Sequence, residues 1–251
     1  MSFFPSLPYC IHLRIPNLVE FRKGFLQPYD YVLMRAMIET MNDLVYAFYA
    51  HLGYCNQFEM FLLFNQTTYL AKTLIEMLTM VTSFATNRFN YYLVEYFYSH
   101  TPNIVTYSPS KIDSILAKQA LFTSEYYQSP TFISDMPSMY QFIMDKVEPY
   151  IHQMKAEYAS IPLKVPDFVT MGVMAHYKYG QTVNYEVPNE KHTLQPGEEI
   201  LFHFTQCLSG HLYRELSDTM LLQVPLIKTT STEVDTARVV PPPLDIQNSI
   251  V

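Results

Sequence analysis

GYCNQFEMFLLF, residues 53–64, holds an apolar run behind a short polar break, and its reading decides the fold. MFLLF is apolar on successive residues, as a strand buried on both faces must be. Asn56 and Gln57 interrupt the pattern just before it. The segment from Tyr46 to Phe64 therefore reads as two strands around a turn at Cys55 to Phe58.

Outward from this hairpin, the periodicity changes to that of helices. Upstream, Pro28 and Asp30 open a helix whose Leu33, Met37, Met41 and Leu44 recur every three or four residues. Further upstream, CIHLRI (10–15) alternates Ile11, Leu13 and Ile15 and reads as a half-buried strand. Downstream, Leu70, Leu74, Met77, Leu78, Val81 and Phe84 trace a second amphipathic helix. Strand, helix, hairpin and helix in this order predict an α+β unit with a ferredoxin-like antiparallel sheet and packed helices.

The remaining residues extend this unit. Ser108 and Pro109 begin a helix expected to run through Ile112, Leu116 and Leu121. A long helix is expected from Ser138 to Tyr158, kinked at Pro149. FVTMGVMAHYKY, EEILFHFTQCL and TMLLQVPLI read as strands or apolar connectors, and the residues from Pro241 read as an extended tail. The chain thus divides into residues 1–160, a β-containing C-terminal extension at 161–240, and a Pro-rich tail at 241–251.

Composition narrows the function classes. Charged residues make up 16% of the chain and hydrophobic ones 49%, against about 25% charged in an ordinary soluble domain. Tyr (21), Phe (17) and Met (14) stand out, and Tyr and Met are favoured at protein interface cores. A net charge of -7, without a Lys or Arg cluster, argues against a broad nucleic-acid grip. Cys10, Cys55 and Cys207 are too few and too scattered for a disulfide framework and fit a reducing compartment. Leu44 to Phe58 is too short and polar to span a bilayer, and the N-terminus reads as neither signal nor transit peptide.

Five blocks, taken in order, resemble the tRNA-histidine guanylyltransferases, which add nucleotides in the 3′-to-5′ direction. The family has a strand ending Leu-Asp-Gly, and LRIPNLVEF stands here. Its Lys-Pro-x-Asp helix start is matched by LQPYDYVLMRAM, and its Gly-Tyr strand with a Ser-Asp-Glu turn by GYCNQFEMFLLF. Its basic Ser-Lys-Leu helix is matched by TTYLAKTLIEMLTMVTSF, and its Arg-Gln-x-Asp-x-His-x-Asn-Asn stretch by KQALFTSEY from Lys118. The resemblance covers roughly the first half of the chain and implies a palm-type sheet.

In that family two Asp carboxylates and a Gly carbonyl hold two magnesium ions. The resemblance sets Arg14 against the first Asp, Ile15 against the Gly and Phe58 against the second Asp, and leaves only Glu59. Magnesium requires hard oxygen donors, which a guanidinium and a phenyl ring lack. Exchanging a carboxylate for Arg14 also turns an attraction of roughly 4 kcal/mol at about 4 Å into a repulsion. The family's Lys is Gln27 here, its Ser is Gln57, and Thr67 and Thr68 replace basic residues. Lys72 alone remains of the phosphate-gripping set, and the later His and Asn positions hold Thr123, Glu125 and Tyr126. Arg14 is expected to meet Glu59 as an ion pair over Phe58.

The resulting expectation is a catalytically inactive relative without cofactor or metal, retained as an accessory subunit of a large protein assembly. A mitochondrial complex, respiratory or ribosomal, is the location expected, with the cytoplasm as alternative. Two rival readings are a non-catalytic binder of RNA ends using Lys72 and Lys118, and a residual nucleotidyltransferase using Asp30 and Glu59. His203, Cys207 and His211 are spaced four and four, with Glu215 as a fourth zinc donor to check. FHFTQCL alternates like a strand, however, which sets such residues about 13 Å apart. Glu198 and Glu199 read as a solvated turn, and FNYYLVEYFY (89–98), lacking neighbouring cations, as core or protein interface rather than a base-stacking platform.

Overall fold

The computed structural model describes residues 8–25, 30–65, 70–99, 107–133, 136–159, 167–178 and 181–186. Strand β1 (Tyr9–Arg14) lies between β3 (Glu59–Phe64) and β4 (Thr123–Gln128), antiparallel to both. β2 (Leu52–Cys55) pairs with β3 across the turn and, on its other edge, with β5 (Val173–Lys178), which β6 (Gln181–Glu186) follows. The sheet order is β4-β1-β3-β2-β5-β6. Its first four strands carry the ferredoxin-like arrangement, and the residues after 160 begin by extending the same sheet beyond β2.

Two helices cover one face. α2 (Tyr31–Phe48) and α3 (Leu74–Ser99) are long, and short α1 (Leu18–Arg22) and α4 (Pro109–Leu116) sit in the connections after β1 and α3. Asp30 starts α2 by accepting the Leu33 amide at 3.0 Å, which satisfies one of the helix's orphan donors. Every second residue of β1 and β3, including Ile11, Leu13, Met60 and Leu62, meets Leu33, Met37, Met41 and Leu44 of α2 and Met77 and Val81 of α3 in one core. Gly53 is required here: a Cβ would come within 2.6 Å of the Val45 side chain and 2.9 Å of Met41.

The opposite face is also covered, and this departs from the half-buried strand expected of CIHLRI. α5 (Met136–Tyr158) lays Met139, Phe142, Ile143, Val147 and Ile151 on Cys10, Tyr54, Phe61 and Leu63. Tyr9 to Leu13 are therefore buried without exception. Pro149 lies inside α5, as expected. A four-residue helix α6 (Asp167–Thr170) leads to β5, and the Tyr54 hydroxyl donates to the Met171 carbonyl at 2.9 Å, tying β2 to that entry.

Three boundaries differ from those read in the sequence. α2 continues to Phe48, so the first hairpin strand starts only at Leu52. Tyr49 ends the helix in the left-handed conformation (φ 54°), with its amide on the Val45 carbonyl. α4 stops at Leu116, and Leu121 is exposed in the run to β4. The bend before β4 is held from α3: Asn90 donates to the Ala120 carbonyl at 2.8 Å and accepts its amide at 2.9 Å. No helix of the described residues is long and apolar enough to cross a membrane. The tail at 241–251 and the apolar segments after residue 186 lie outside the described residues.

Candidate functional site

The turn that joins β2 to β3 is built by Asn56. Its side-chain oxygen accepts the amides of Phe58 at 2.7 Å and Glu59 at 2.8 Å, and its own amide bonds the Glu59 carbonyl at 3.0 Å. An Asn that bonds its backbone two residues on makes such a turn without glycine. The turn is covered: Asn56 is 0% exposed, Gln57 1% and Phe58 7%. Arg22 of α1 places its guanidinium 4.2 Å from the Phe58 ring centre and pairs with Glu157 of α5 at 3.0 Å. Gln57 donates to the Tyr158 hydroxyl at 3.1 Å. Residues separated by a hundred positions in sequence thus close over one turn.

Beside the turn, on the α5 face of the sheet, four ionisable side chains meet. His12 is fully buried, with its Nε2 bonded to the Glu59 carboxylate and its Nδ1 3.8 Å from Glu125. Its ring stacks on Phe61 at 4.3 Å, with Tyr150 at 5.1 Å. Arg14 reaches Glu125 at 2.6 Å, and the Tyr127 hydroxyl donates to Glu125 at 2.9 Å. That hydroxyl, with Arg14 and His12, holds the Glu125 carboxyl below the usual carboxylate range. Burial and the Glu125 charge in turn raise the Tyr127 phenol to about 12.

The ion pair expected between Arg14 and Glu59 is replaced. The two residues are cross-strand partners in the β1–β3 register, but Glu59 turns inward to His12 and Arg14 outward to Glu125. Burial explains the choice. A fully buried imidazole needs a partner more than a guanidinium whose side chain is 48% exposed. Phe58 does lie under a guanidinium, but under that of Arg22. The sequence reading passed over His12, although period-two alternation in CIHLRI places it on the face of Arg14.

The donor set does not fit magnesium. At the positions that the resemblance assigns to the metal ligands stand the Arg14 guanidinium, buried Ile15 and the buried Phe58 ring, and Glu59 is committed to His12. Among the described residues no group of three or more His, Cys, Asp or Glu side chains could hold a metal ion. Lys72 is exposed, and its amide rather than its ammonium is engaged, by Glu76 at 2.7 Å. Lys118 directs its ammonium to the Glu20 carbonyl at 3.4 Å. Thr123 bonds the Arg14 carbonyl at 3.4 Å and Tyr126 donates to Gln128 at 2.7 Å. Asp30 caps α2 and is fully buried, which removes it as a replacement ligand beside Glu59. Gln27, Thr67, Thr68, Glu198, Glu199, His203, Cys207, His211 and Glu215 lie outside the described residues.

A family model described as tRNAHis guanylyltransferase matches residues 4–132. Solved structures share the fold. A bacterial tRNA(His) guanylyltransferase (Thg1)-like protein in complex with GTP superposes with a TM-score of 0.54 at 16% identity, over 73% of this chain and 84% of that one. A bacterial protein of the same description in complex with ATP gives 0.54 at 14%, over 72% and 83%. The tRNA(His) guanylyltransferase of Saccharomyces cerevisiae gives 0.50 at 13%, over 70% and 88%. No curated protein sequence matches.

Proposed function

This chain belongs to the tRNA(His) guanylyltransferase family, and from the state of its β1 and β2–β3 ends we propose that it is a non-catalytic member serving as a protein subunit of a larger assembly. The observation that carries this reading is the buried turn. Where a nucleotidyl-transfer site needs open carboxylates and room for a triphosphate, Asn56, Gln57 and Phe58 are sealed by Arg22, Glu157 and Tyr158. The loss is therefore one of access as well as of ligands.

The cations nearby speak against retained binding of an RNA end. Arg14, Arg22 and Lys23 each face a carboxylate, on Glu125, Glu157 and Glu20. A polyanion would have to displace these partners before gaining any phosphate contact. The low charge and the Tyr and Met content of the whole chain are what a surface largely covered by protein partners would carry. A mitochondrial respiratory or ribosomal complex is the assembly we favour.

Two measurements test the reading. Purified full-length chain, given magnesium, nucleoside triphosphates and a 5′-monophosphorylated tRNA, should add no nucleotide. Magnesium-dependent addition that Glu59→Gln abolishes overturns the inactive reading. Gentle-detergent isolation from its own cells should return the 29.3 kDa chain at fixed stoichiometry in a much heavier protein complex. Recovery as a free species carrying tRNA overturns the subunit reading and moves the function to RNA binding.

A further inference from the structure

β4 is an outer strand of the sheet, and the register shows which of its backbone groups turn outward. In an antiparallel pair, residues alternate between exchanging both backbone bonds with the neighbour and turning both away from it. The Ser129 amide donates to the Pro8 carbonyl at 2.7 Å, one step beyond the Tyr9–Gln128 pair. Counting back by twos, Tyr127, Glu125 and Thr123 exchange bonds with Cys10, His12 and Arg14. The Asn56 amide on the Glu59 carbonyl gives the same phase, carried through β3 to β1. Ser124, Tyr126 and Gln128 therefore turn their amides and carbonyls away from β1, and among the described residues no hydrogen bond meets those groups.

An edge of this kind accepts a further strand, and proteins ordinarily blunt it with lysine, proline or a bulge. β4 carries none of these: TSEYYQ holds neither Lys nor Pro, and its residues pair one to one with β1. Its one charge, Glu125, is held on the α5 side by Arg14 and Tyr127. Leu121 and Phe132, beyond the two ends of the strand, are 65% and 70% exposed. We propose that β4 receives an extended segment of a partner protein as an added strand. This deepens the subunit reading and rests on it. Incoming residues opposite Ser124, Tyr126 and Gln128 turn toward α3, where Ser124 meets Thr82 and Tyr126 packs on the main core, so apolar or hydroxyl side chains fit there. The residue opposite Glu125 turns to the α5 side, where a second carboxylate is repelled. With a net charge of -7, the chain fits a segment bearing Lys or Arg at that place better than a second copy of itself.

Hydrogen exchange of the purified full-length chain and of the assembly isolated from its own cells tests it. The amides of Ser124, Tyr126 and Gln128 should exchange freely in the isolated chain and slow by about tenfold or more in the assembly. Those of Thr123, Glu125 and Tyr127, bonded to β1, should be slow in both. Gln128→Pro removes one outward donor at an exposed position and should lower incorporation into the assembly about tenfold, with the melting of the isolated chain unchanged. Gln128→Ala keeps the amide and should incorporate as wild type. Outward amides that stay fast in an assembled chain, or a Gln128→Pro chain that incorporates as wild type, overturn the added strand and leave the subunit reading standing. Protection reproduced by concentrating the isolated chain assigns the edge to a second copy and overturns the partner segment. A chain recovered only free of partners overturns both readings.

Discussion

Placing an acid at position 58 of the turn should cost stability and create no metal site. Phe58 is 7% exposed, packs in the main core and lies 4.2 Å below the Arg22 guanidinium. Truncating a buried Phe costs about 3–5 kcal/mol, and losing the stacked cation about 0.5–1 kcal/mol. In Phe58→Asp the new carboxylate recovers part of this by meeting Arg22, but Arg22 already serves Glu157. The expected net loss is about 4 kcal/mol. Phe58→Leu, which keeps an apolar group there, should lose about 1 kcal/mol. Urea unfolding of the full-length chain, followed by tyrosine fluorescence and circular dichroism, measures both. Adding about 10 mM magnesium to a site of about 1 mM affinity would return about 1.4 kcal/mol. A Phe58→Asp chain within about 1 kcal/mol of wild type, or one that magnesium rescues by about that much, refutes the assignment of this turn as packed core.

Three further outcomes follow from the neighbouring groups. His12→Ala strips the half-buried Glu59 carboxylate of its partner and empties a fully buried site beside Phe61, and should destabilise by about 3 kcal/mol; equal stability by thermal or urea unfolding would show the contact to be idle. The Glu125 carboxyl is depressed by Tyr127, Arg14 and His12, so its contribution is complete above the unfolded carboxylate range, near about pH 4.3, and is lost as pH falls through its lower folded value. Glu125→Gln should therefore flatten the acid limb of the stability profile, and an unchanged limb would remove the argument. Burial pushes the Cys10 and Cys55 thiols far up, so iodoacetamide followed by peptide mass analysis should label neither until the chain is unfolded; rapid labelling of either in the native state contradicts their burial.

How much was legible depended on the range of the interactions. The hairpin around Asn56, the α2 stripe of Leu33, Met37, Met41 and Leu44, and the Ser108-Pro109 helix start stood out because they are set within a few residues by periodicity and local hydrogen bonding. β4 and α1 did not stand out. The Thr123–Gln128 strand is mostly half-exposed and polar, and its bend is fixed by Asn90, thirty residues earlier. α1 is a five-residue helix with one buried side chain, Phe21, too short for a period to register. At the site, the residue types that the resemblance sets at the family's ligand positions, Arg14 and Phe58, could be read residue by residue, while the partners of those residues could not.

The sequence by itself determined a ferredoxin-like α+β unit, because that depends on residue type and on spacing along one segment, and the resemblance it carries set Arg14, Ile15 and Phe58, none of which offers a side-chain oxygen, at the family's ligand positions. Only the tertiary structure decided that α5 covers the second face of the sheet, that Arg14 takes Glu125 while Glu59 takes His12, and that Arg22 and Tyr158 close the turn. Those outcomes rest on side chains brought together from distant segments. Which of two nearby cations a carboxylate accepts is set by burial and reach, and neither quantity exists until the chain has folded.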